Sequence, residues 1–306
     1  MGEYDCLGHV RISHMDILTN LSPEKRALMS TLTGQLAATP GVKAVVLGGS
    51  YARGTQHASS DLDIGIYYSD AAPFAIDDIR RIAAQAAGQL ATVTGFYEWG
   101  PWVNGGAWLH TPTGKVDFLY RSLDKVEKTI REAIAGTTYF DYYQQPPYGF
   151  FSVIYLAETR ICLPLYDPDG HLARLKQMVA AYPPELKRRT VADLLWSAEF
   201  TLSQAGGFAD KGDVYDTVGC LTRVASSLTQ VLFALNETYF ITDKTAMAEI
   251  TTFRLAPTGY VQQLTDILAH PGKTQAELTA TVNNLCAAWQ AVVDLADGMY
   301  KPKFNM

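Results

Sequence analysis

One stretch of this chain, residues 44–68, constrains its fold more than any other. It opens with a continuous apolar run at residues 44–47, which predicts a strand buried on both faces. The pair Gly48 and Gly49 ends that strand, and Ser50 stands where a helix is expected to begin. Because glycine has no side chain, the backbone at such a turn can approach a bulky anion closely.

The turn has further features of a phosphate-binding site. Amides at the start of a helix point toward an anion, and the helix dipole favours negative charge there. The Ser50 hydroxyl adds a donor, and Arg53, one turn later, adds a positive charge. The sequence lacks the spacing and the lysine of a Walker P-loop. We therefore predict that Gly48, Gly49, Ser50 and Arg53 bind phosphate by other means than a P-loop.

Two aspartates follow on the next predicted strand. Asp61 and Asp63 are two residues apart, so on a strand their side chains project to the same face. Adjacent carboxylates repel each other unless a cation neutralises them. Hard oxygen ligands beside a phosphate site favour Mg²⁺ bound together with a nucleoside triphosphate. That combination is typical of two-metal phosphoryl or nucleotidyl transfer.

Together these two elements resemble the signature of the DNA-polymerase-β-like nucleotidyltransferase superfamily. The residues that carry the resemblance are Gly48-Gly49-Ser50-x-x-x-Gly54, followed by Ser60-Asp61-x-Asp63. Within the superfamily, the arrangement is similar to that of aminoglycoside and lincosamide (antibiotic) nucleotidyltransferases and of minimal nucleotidyltransferases. The alternative is a glycine turn followed by a solvated Asp-x-Asp at the end of a strand.

The resemblance implies a third carboxylate, which arrives from a neighbouring strand and holds metal or takes the proton of the attacking hydroxyl. Asp117 matches that position by context, because it is an acid within the apolar strand predicted at residues 115–120. An edge-strand acid that faces water is the alternative for Asp117. Glu98 is the rival for the role, although the aromatics and glycines around it better fit a substrate-facing loop.

The resemblance also implies Mg²⁺ as cofactor and ATP, or another nucleoside triphosphate, as co-substrate. Asp61, Asp63 and Asp117 would be the catalytic and metal-binding residues. Gly49 and Ser50 would hold the β- and γ-phosphates.

A basic residue from a helical domain reaches the triphosphate in the resembling enzymes. Lys244, at the start of a predicted helix, is the first candidate for that role, and Arg223 is the second. Helix caps and surface ion pairs are the alternative for both residues.

Helix and strand signals place the motif in an α+β fold. A helix is predicted from Pro23 to about Ala38, helical spacing recurs at 76–90, and strand-like pieces lie at 91–98, 106–110 and 115–120. Residues 1–137 therefore predict a nucleotidyltransferase domain, a small mixed β-sheet backed by helices. Residues 138–306 predict an all-α helical bundle domain, with helices at 150–160, 170–182, 184–204, 214–236, 244–250, 257–268 and 275–300.

The segment WGPWVNGGAW at residues 99–108 is unusually aromatic. Its side chains, those of Trp99, Trp102, Asn104 and Trp108, are suited to stacking on a base or to lining an acceptor pocket. A packed connection between strands is an equal alternative.

Charge and composition limit the classes of molecule that the protein is expected to bind. The chain has 25 basic against 31 acidic residues and no basic run, which argues against a dedicated nucleic-acid surface and suits small cationic acceptors better. Four distant cysteines, at positions 6, 162, 220 and 286, form no zinc pattern and are expected to be free thiols of a reducing cytosol. Residues 1–20 contain no signal-peptide core, and no apolar run reaches membrane-spanning length, so we expect a cytoplasmic protein without membrane contact.

These features predict a Mg-dependent, adenylyltransferase-like enzyme that moves a nucleoside monophosphate to a hydroxyl. The acceptor is a small molecule, for which an aminoglycoside-like antibiotic is one candidate, or a protein hydroxyl, as in a protein AMPylator. A toxin–antitoxin-type interaction protein with the same fold is the alternative, although the helical half contains no R-x-x-x-x-H ribonuclease motif. An RNA 3′-end transferase is disfavoured by the missing basic stripe.

Overall fold

The structure, a computed structural model, describes residues 21–143 and 145–304, and these form two compact units. The first unit contains the described residues up to 130 together with 155–180, and the second contains 131–154 and the described residues from 181 onward. The sequence interpretation instead placed residues 155–180 in the second domain. The limits of the domains as independently folding parts stay a prediction. Cys6 and the segment expected to lack a signal peptide lie outside the described residues.

The strands of both units are short. In chain order they are β1 (Val42–Leu47), β2 (Leu62–Tyr68), β3 (Ala91–Val93), β4 (Gly106–Thr111), β5 (Gly114–Ser122), β6 (Phe140–Asp141), β7 (Phe150–Phe151) and β8 (Leu163–Tyr166). Six of them form the sheet of the first unit in the order β3-β4-β5-β2-β1-β8. β2 and β5 are parallel, and the other neighbours are antiparallel. β6 and β7 form a separate antiparallel pair in the second unit.

Helices make up most of the remaining structure. In chain order they are α1 (Pro23–Ala37), α2 (Gly49–Arg53), α3 (Ile76–Ala87), α4 (Gly100–Val103), α5 (Leu123–Ile134), α6 (Ile154–Ile161), α7 (His171–Met178), α8 (Pro184–Ala209), α9 (Val214–Leu235), α10 (Asp243–Ile250), α11 (Tyr260–Ala269) and α12 (Gln275–Leu295). α1 starts as predicted, because Ser22 caps it with its hydroxyl and a proline occupies its first turn.

The sheet of the first unit has two unlike faces. One face belongs to the hydrophobic core, which α1 and α3 complete with apolar side chains; from β2 and β5 it takes the fully buried Leu62, Ile64, Ile66, Val116, Phe118 and Tyr120. The residues between them point to the other face. There Asp63 and Asp117 are half-buried, and Trp108 of β4 is exposed. We call the surface around these three residues the open face.

The second unit is built around α9. Nearly every residue in the C-terminal two-thirds of this helix is buried, and α8, α11 and α12 pack against it. Of the described helices, α9 is the one long and apolar enough to span a membrane by length and composition. Its mean hydropathy of 1.4 goes with 72% burial inside the protein, which is the burial of a core helix. The sequence prediction that no apolar run reaches this length missed α9.

The predicted fold class is confirmed: a mixed sheet with helices precedes a largely helical region. Three details differ. The strand predicted at 91–98 ends at Val93, because the chain turns there and reaches a positive φ of 61° at Tyr97. The helix predicted from 150 begins at Ile154, because residues 150 and 151 pair with β6. Residues 163–166, predicted to be part of an all-α domain, form β8 on the edge beside β1.

Free cysteines agree with the prediction among the described residues. Cys162 is buried, and Cys220 and Cys286 are partly buried. Burial raises the pKa of the Cys162 thiol to about 11, so this side chain is a neutral core group at ordinary pH.

Candidate active site

The glycine turn joins β1 to β2 through the backbone. The amide of Gly48 donates to the carbonyl oxygen of Asp63 at 2.8 Å. Gly49 then adopts a φ of +57° and begins the short helix α2, and Gly54, the residue that follows its end, has a φ of +71°. A left-handed conformation at both ends of five residues makes a tight loop that glycine allows at little cost.

The carboxylate of Asp63 lies against the backbone of Gly49. A Cβ atom placed on Gly49 would be 1.7 Å from Oδ2 of Asp63, so no other residue fits there without moving this aspartate. The sequence motif therefore has a steric basis. The missing side chain at Gly49 leaves room for the carboxylate, and the turn and the acid are one structural feature.

Asp63 and Asp117 face each other across the parallel pair. β2 and β5 are in register, with Asp63 opposite Asp117, so both side chains leave the same face of the sheet. Asp61 directly precedes β2 and is half-buried. The structure thus brings together two of the three predicted carboxylates on one face, with the third at the entrance of the strand.

A metal-binding site requires more than two carboxylates on one face of the sheet. Among residues 21–143 and 145–304, no group of three or more His, Cys, Asp or Glu side chains has an arrangement that could hold a metal ion. The metal-binding triad of Asp61, Asp63 and Asp117 therefore stays a prediction. The donor chemistry fits Mg²⁺, because carboxylate oxygens are its preferred protein ligands and Oδ2 of Asp63 lies beside the glycine turn.

Ser50 and Arg53 both lie on the short helix that follows the glycine turn, as the phosphate-binding prediction requires. Ser50 is the second residue of α2 and Arg53 is the last, and both are half-buried. Their contact with phosphate stays a prediction.

Lys25 holds the loop that leads to Asp61, and sequence reasoning missed it. Its ammonium donates to the carbonyl oxygen of Ser60 at 2.7 Å and to the hydroxyl of the buried Tyr51 at 2.9 Å. These bonds tie α1, α2 and the loop together. A lysine in the first turn of a helix gives no such signal, because its partners are distant in sequence.

The aromatic segment forms a clamped loop. Trp99 and Trp108 stack with ring centroids 4.5 Å apart and an interplanar angle of 22°. Glu98, the rival to Asp117, is exposed in the turn, and its Oε1 accepts from the amide of Gly95 at 2.9 Å. It lies outside the strand register that pairs Asp63 with Asp117.

A buried ion pair lies deeper along the same face of β5. Arg121, 5% exposed, donates through Nε and Nη2 to both carboxylate oxygens of Glu158 on α6, at 2.9 and 2.8 Å. Burial opposes the positive charge, but the attraction of Glu158 and its hydrogen bonds outweigh burial and raise the pKa of Arg121 above its ordinary value. Burial raises the pKa of the neighbouring Tyr67 in the same region. In this charged pair Arg121 is buried, whereas Glu158 is 28% exposed.

Lys244 and Arg223 belong to the second unit. Lys244 is exposed at the start of α10, where it lines a cavity of about 380 Å³ together with Tyr148 and Asp243. Burial raises the pKa of Asp243. Arg223 is exposed on α9. The role of either residue toward a triphosphate stays a prediction.

Two family models match parts of the chain. Residues 30–95 match the family model described as a nucleotidyltransferase domain, and residues 155–244 match a domain of unknown function, DUF4037. Among solved structures, the chain is similar to a nucleotidyltransferase-like protein from Exiguobacterium sibiricum 255-15, at 11% identity and a TM-score of 0.47. That match covers 89% of this chain and 78% of the other. No curated protein matches the chain.

The first family match supports a polymerase-β-like nucleotidyltransferase domain, as the motif predicted. It spans the glycine turn and the Asp61–Asp63 pair, whereas Asp117 lies beyond both matched ranges. The resemblance to antibiotic nucleotidyltransferases stays a prediction.

Proposed function

We propose that this protein is a Mg²⁺-dependent nucleotidyltransferase that moves a nucleoside monophosphate from ATP, or another nucleoside triphosphate, to an acceptor hydroxyl. One observation carries the proposal: Asp63 and Asp117 are in register on one sheet face, and the Asp63 carboxylate lies against Gly49. This arrangement supports transfer at phosphorus because an anion can approach the glycine turn beside oxygen donors for a cation.

The residues have separate tasks. Asp61 and Asp63 would hold the metal, with Asp117 beside them, and Gly48, Gly49 and Ser50 would receive the β- and γ-phosphates. When bound, Mg²⁺ neutralises charge on the triphosphate and on the leaving pyrophosphate. Arg53, Lys244 and Arg223 are the proposed cations toward the triphosphate.

The transfer itself exchanges one phosphorus–oxygen bond for another. The acceptor oxygen forms a bond to the α-phosphorus, and the bond between that phosphorus and the oxygen bridging to the β-phosphate breaks. The electron pair leaves with pyrophosphate, and Asp117 takes the proton of the acceptor hydroxyl. Most of the rate enhancement in such a reaction comes from position and from charge stabilisation. The proposed acceptor is a small molecule, with a protein hydroxyl as the alternative.

Pyrophosphate release tests this proposal. The protein, Mg²⁺ and each of the common nucleoside triphosphates are incubated with panels of hydroxylated small molecules, peptides and short RNAs. Asp63→Asn and Asp117→Asn are expected to lower kcat by at least about 100-fold, since each removes a charge that acts in the transition state. The control is Asp77→Asn, because Asp77 is 88% exposed on α3 and pairs with the exposed Arg80.

The outcomes separate two classes of protein. Release that depends on Asp63 and Asp117, with Asp77→Asn at the wild-type rate, supports the transferase. Nucleotide binding without release in any panel contradicts it and favours the interaction protein.

A further inference from the structure

The open face carries a row of three side chains across three neighbouring strands. Asp63 of β2 is opposite Asp117 of β5, and Asp117 is opposite Trp108 of β4. In an antiparallel pair such as β4 and β5, the Cβ atoms of directly opposed residues lie about 4.5–5.5 Å apart. Trp108 is therefore the neighbour of Asp117 on the side away from Asp63 and the glycine turn.

The order within the row gives the direction from which the acceptor enters. In the proposed reaction the triphosphate lies at the glycine turn, on the Asp63 side, and Asp117 takes the proton of the acceptor. The neighbour of Asp117 on the opposite side from the triphosphate is the exposed Trp108, so the acceptor hydroxyl is inferred to reach Asp117 from the side of Trp108.

Trp108 offers this site an apolar ring surface. Its side chain is 47% exposed although one ring face is stacked on Trp99. Trp99 in turn lies on the backbone of β4, since a Cβ on Gly106 would be 2.8 Å from its ring. The two stacked indole rings therefore pack against the open face of the sheet.

The loop that carries Trp99 is fixed by buried hydrogen bonds. Asn104, only 2% exposed and at a φ of +72°, accepts from the amide of Tyr97 at 2.9 Å and donates to the hydroxyl of Tyr68 at 2.8 Å. Its carbonyl oxygen accepts from the amide of Trp99 at 2.8 Å, and the carbonyl oxygen of Val103 accepts from Arg121 at 3.1 Å. Buried polar groups whose hydrogen bonds are satisfied in this way rigidify the loop and so fix the position of Trp99. A simple connection between strands does not need such a network.

We propose that Trp108, supported by Trp99, is the acceptor platform, and that the acceptor is a small ring compound with several hydroxyls, such as a sugar or an aminocyclitol. Such a ring presents its flat face to the indole and an edge hydroxyl to Asp117. This inference rests on the proposed nucleotidyl transfer.

Charge favours this occupant over a nucleic-acid end. Base stacking on an aromatic side chain is accompanied in nucleic-acid binders by a cationic groove for the backbone. On the open face near Trp108, β4 and β5 add the exposed His110 and Lys115, while Asp63 and Asp117 bring negative charge. The one lysine of β4 and β5, Lys115, beside two carboxylates does not make a phosphate-backbone track on these strands. Amines on a small ring, in contrast, are attracted to an indole face and to carboxylates.

Four proteins test the platform: the wild type, Trp108→Ala, Trp108→Phe and Trp196→Ala. Trp196 is the matched control because it is 43% exposed and stacked on Phe200 in the second unit. Steady-state kinetics are measured by pyrophosphate release with monosaccharides, amino sugars, aminocyclitol glycosides, hydroxyl-bearing peptides and short RNAs. Thermal unfolding and Mg-ATP binding report whether each variant keeps its fold and its nucleotide site.

We expect the ring compounds to be the acceptors. Trp108→Ala should raise the acceptor KM about tenfold, the loss of one aromatic stacking contact, with the nucleotide KM unchanged. Trp108→Phe should give an intermediate value, and Trp196→Ala should equal the wild type. A peptide or RNA as the acceptor, or an acceptor KM in Trp108→Ala within twofold of the wild type, overturns the platform.

The two proposals can fail separately. If no compound supports pyrophosphate release, the transfer reaction fails, and binding of the same ring compounds is then measured by quenching of indole fluorescence. Quenching in the wild type that is lost in Trp108→Ala keeps the platform. If no ring compound quenches the wild type, or if Trp108→Ala is quenched equally, the platform is overturned.

Discussion

At Gly49 a positive φ of 57° coincides with a carboxylate in the space where a side chain would stand. The two constraints are independent. The backbone conformation disfavours any L-residue, and the nearby Oδ2 of Asp63 forbids even a methyl group. Selection for glycine here therefore concerns the position of Asp63 as much as the shape of the turn.

Gly49→Ala separates these two constraints when it is compared with Gly170→Ala. Gly170 is left-handed, with a φ of +67° and a ψ of 22°, but a Cβ there meets nothing within 4 Å. We expect Gly170→Ala to cost about 1 kcal/mol of unfolding free energy, the strain of the conformation alone. Gly49→Ala should cost more and should also displace Asp63, so that Mg-ATP no longer raises its Tm. Chemical denaturation and thermal shift with Mg-ATP measure both effects. Equal costs and equal Mg-ATP responses in the two variants would contradict the steric link.

Between elements, the pair Arg121–Glu158 joins β5 to α6 within the first unit. Glu158 binds both sides of the guanidinium fork, and Arg121 also donates through Nη1 to the carbonyl oxygens of Val103 and Tyr120. The same arginine therefore supports the aromatic loop. A buried charge that loses its partner is costly, whereas an exposed one is not.

Glu158→Gln is expected to destabilise the protein by about 3 kcal/mol, the low end for buried pairs because a quarter of Glu158 is exposed. Asp77→Asn, which breaks the exposed pair with Arg80, should change stability by no more than about 0.5 kcal/mol. Urea unfolding gives both values, and near-ultraviolet circular dichroism should show a looser aromatic loop in Glu158→Gln alone. A loss below about 1 kcal/mol would mean that the cluster is solvated.

Local patterns in the sequence predicted most of the elements that carry the site. The two-residue spacing of Asp61 and Asp63 predicted β2, and the apolar run at residues 115–120 predicted β5. The position of Asp63 on the open face follows from the two-residue period of a strand. β8 escaped prediction because its four residues, with a proline at position 164, have no alternation of their own and pair only at one edge. The strand predicted through residue 98 was too long, because the aromatic residues at 96 and 97 carry a β signal that the positive φ of Tyr97 overrides.

For the candidate site, too, local sequence patterns predicted some features and missed those that depend on distant residues. The motif formed by Asp61 and Asp63 can be recognised from the sequence, because the two residues are only two positions apart. That Asp117 is opposite Asp63, and Trp108 opposite Asp117, depends on strand order and register, which join residues more than 40 positions apart in one case. The roles of Lys25 and Glu158 are even harder to predict, because the sequence around an isolated charged residue does not indicate which distant residue it will contact.

In the whole molecule, the first unit is discontinuous in sequence. Residues 155–180 return to it after the chain has built part of the second unit, and they contribute β8 and the ion-pair partner Glu158. Without them, β1 would be an unpaired edge and Arg121 a buried charge without its carboxylate. An exposed hydrophobic edge strand is a template for aggregation.

Fragments of the chain test whether the domain boundary predicted at residue 137 is a folding boundary. We expect the fragment 1–137 to aggregate, because it lacks both β8 and Glu158. The fragment 1–154 is the matched control: it adds the intervening residues but not the returning segment, and it should aggregate as well. The fragment 1–180 restores both partners and should elute as a compact species, unfold cooperatively and gain thermal stability with Mg-ATP. Size-exclusion chromatography and thermal unfolding measure these properties. If 1–137 alone is soluble and unfolds cooperatively, β8 and Glu158 are dispensable, and the boundary read from the sequence is the better description of the folding unit.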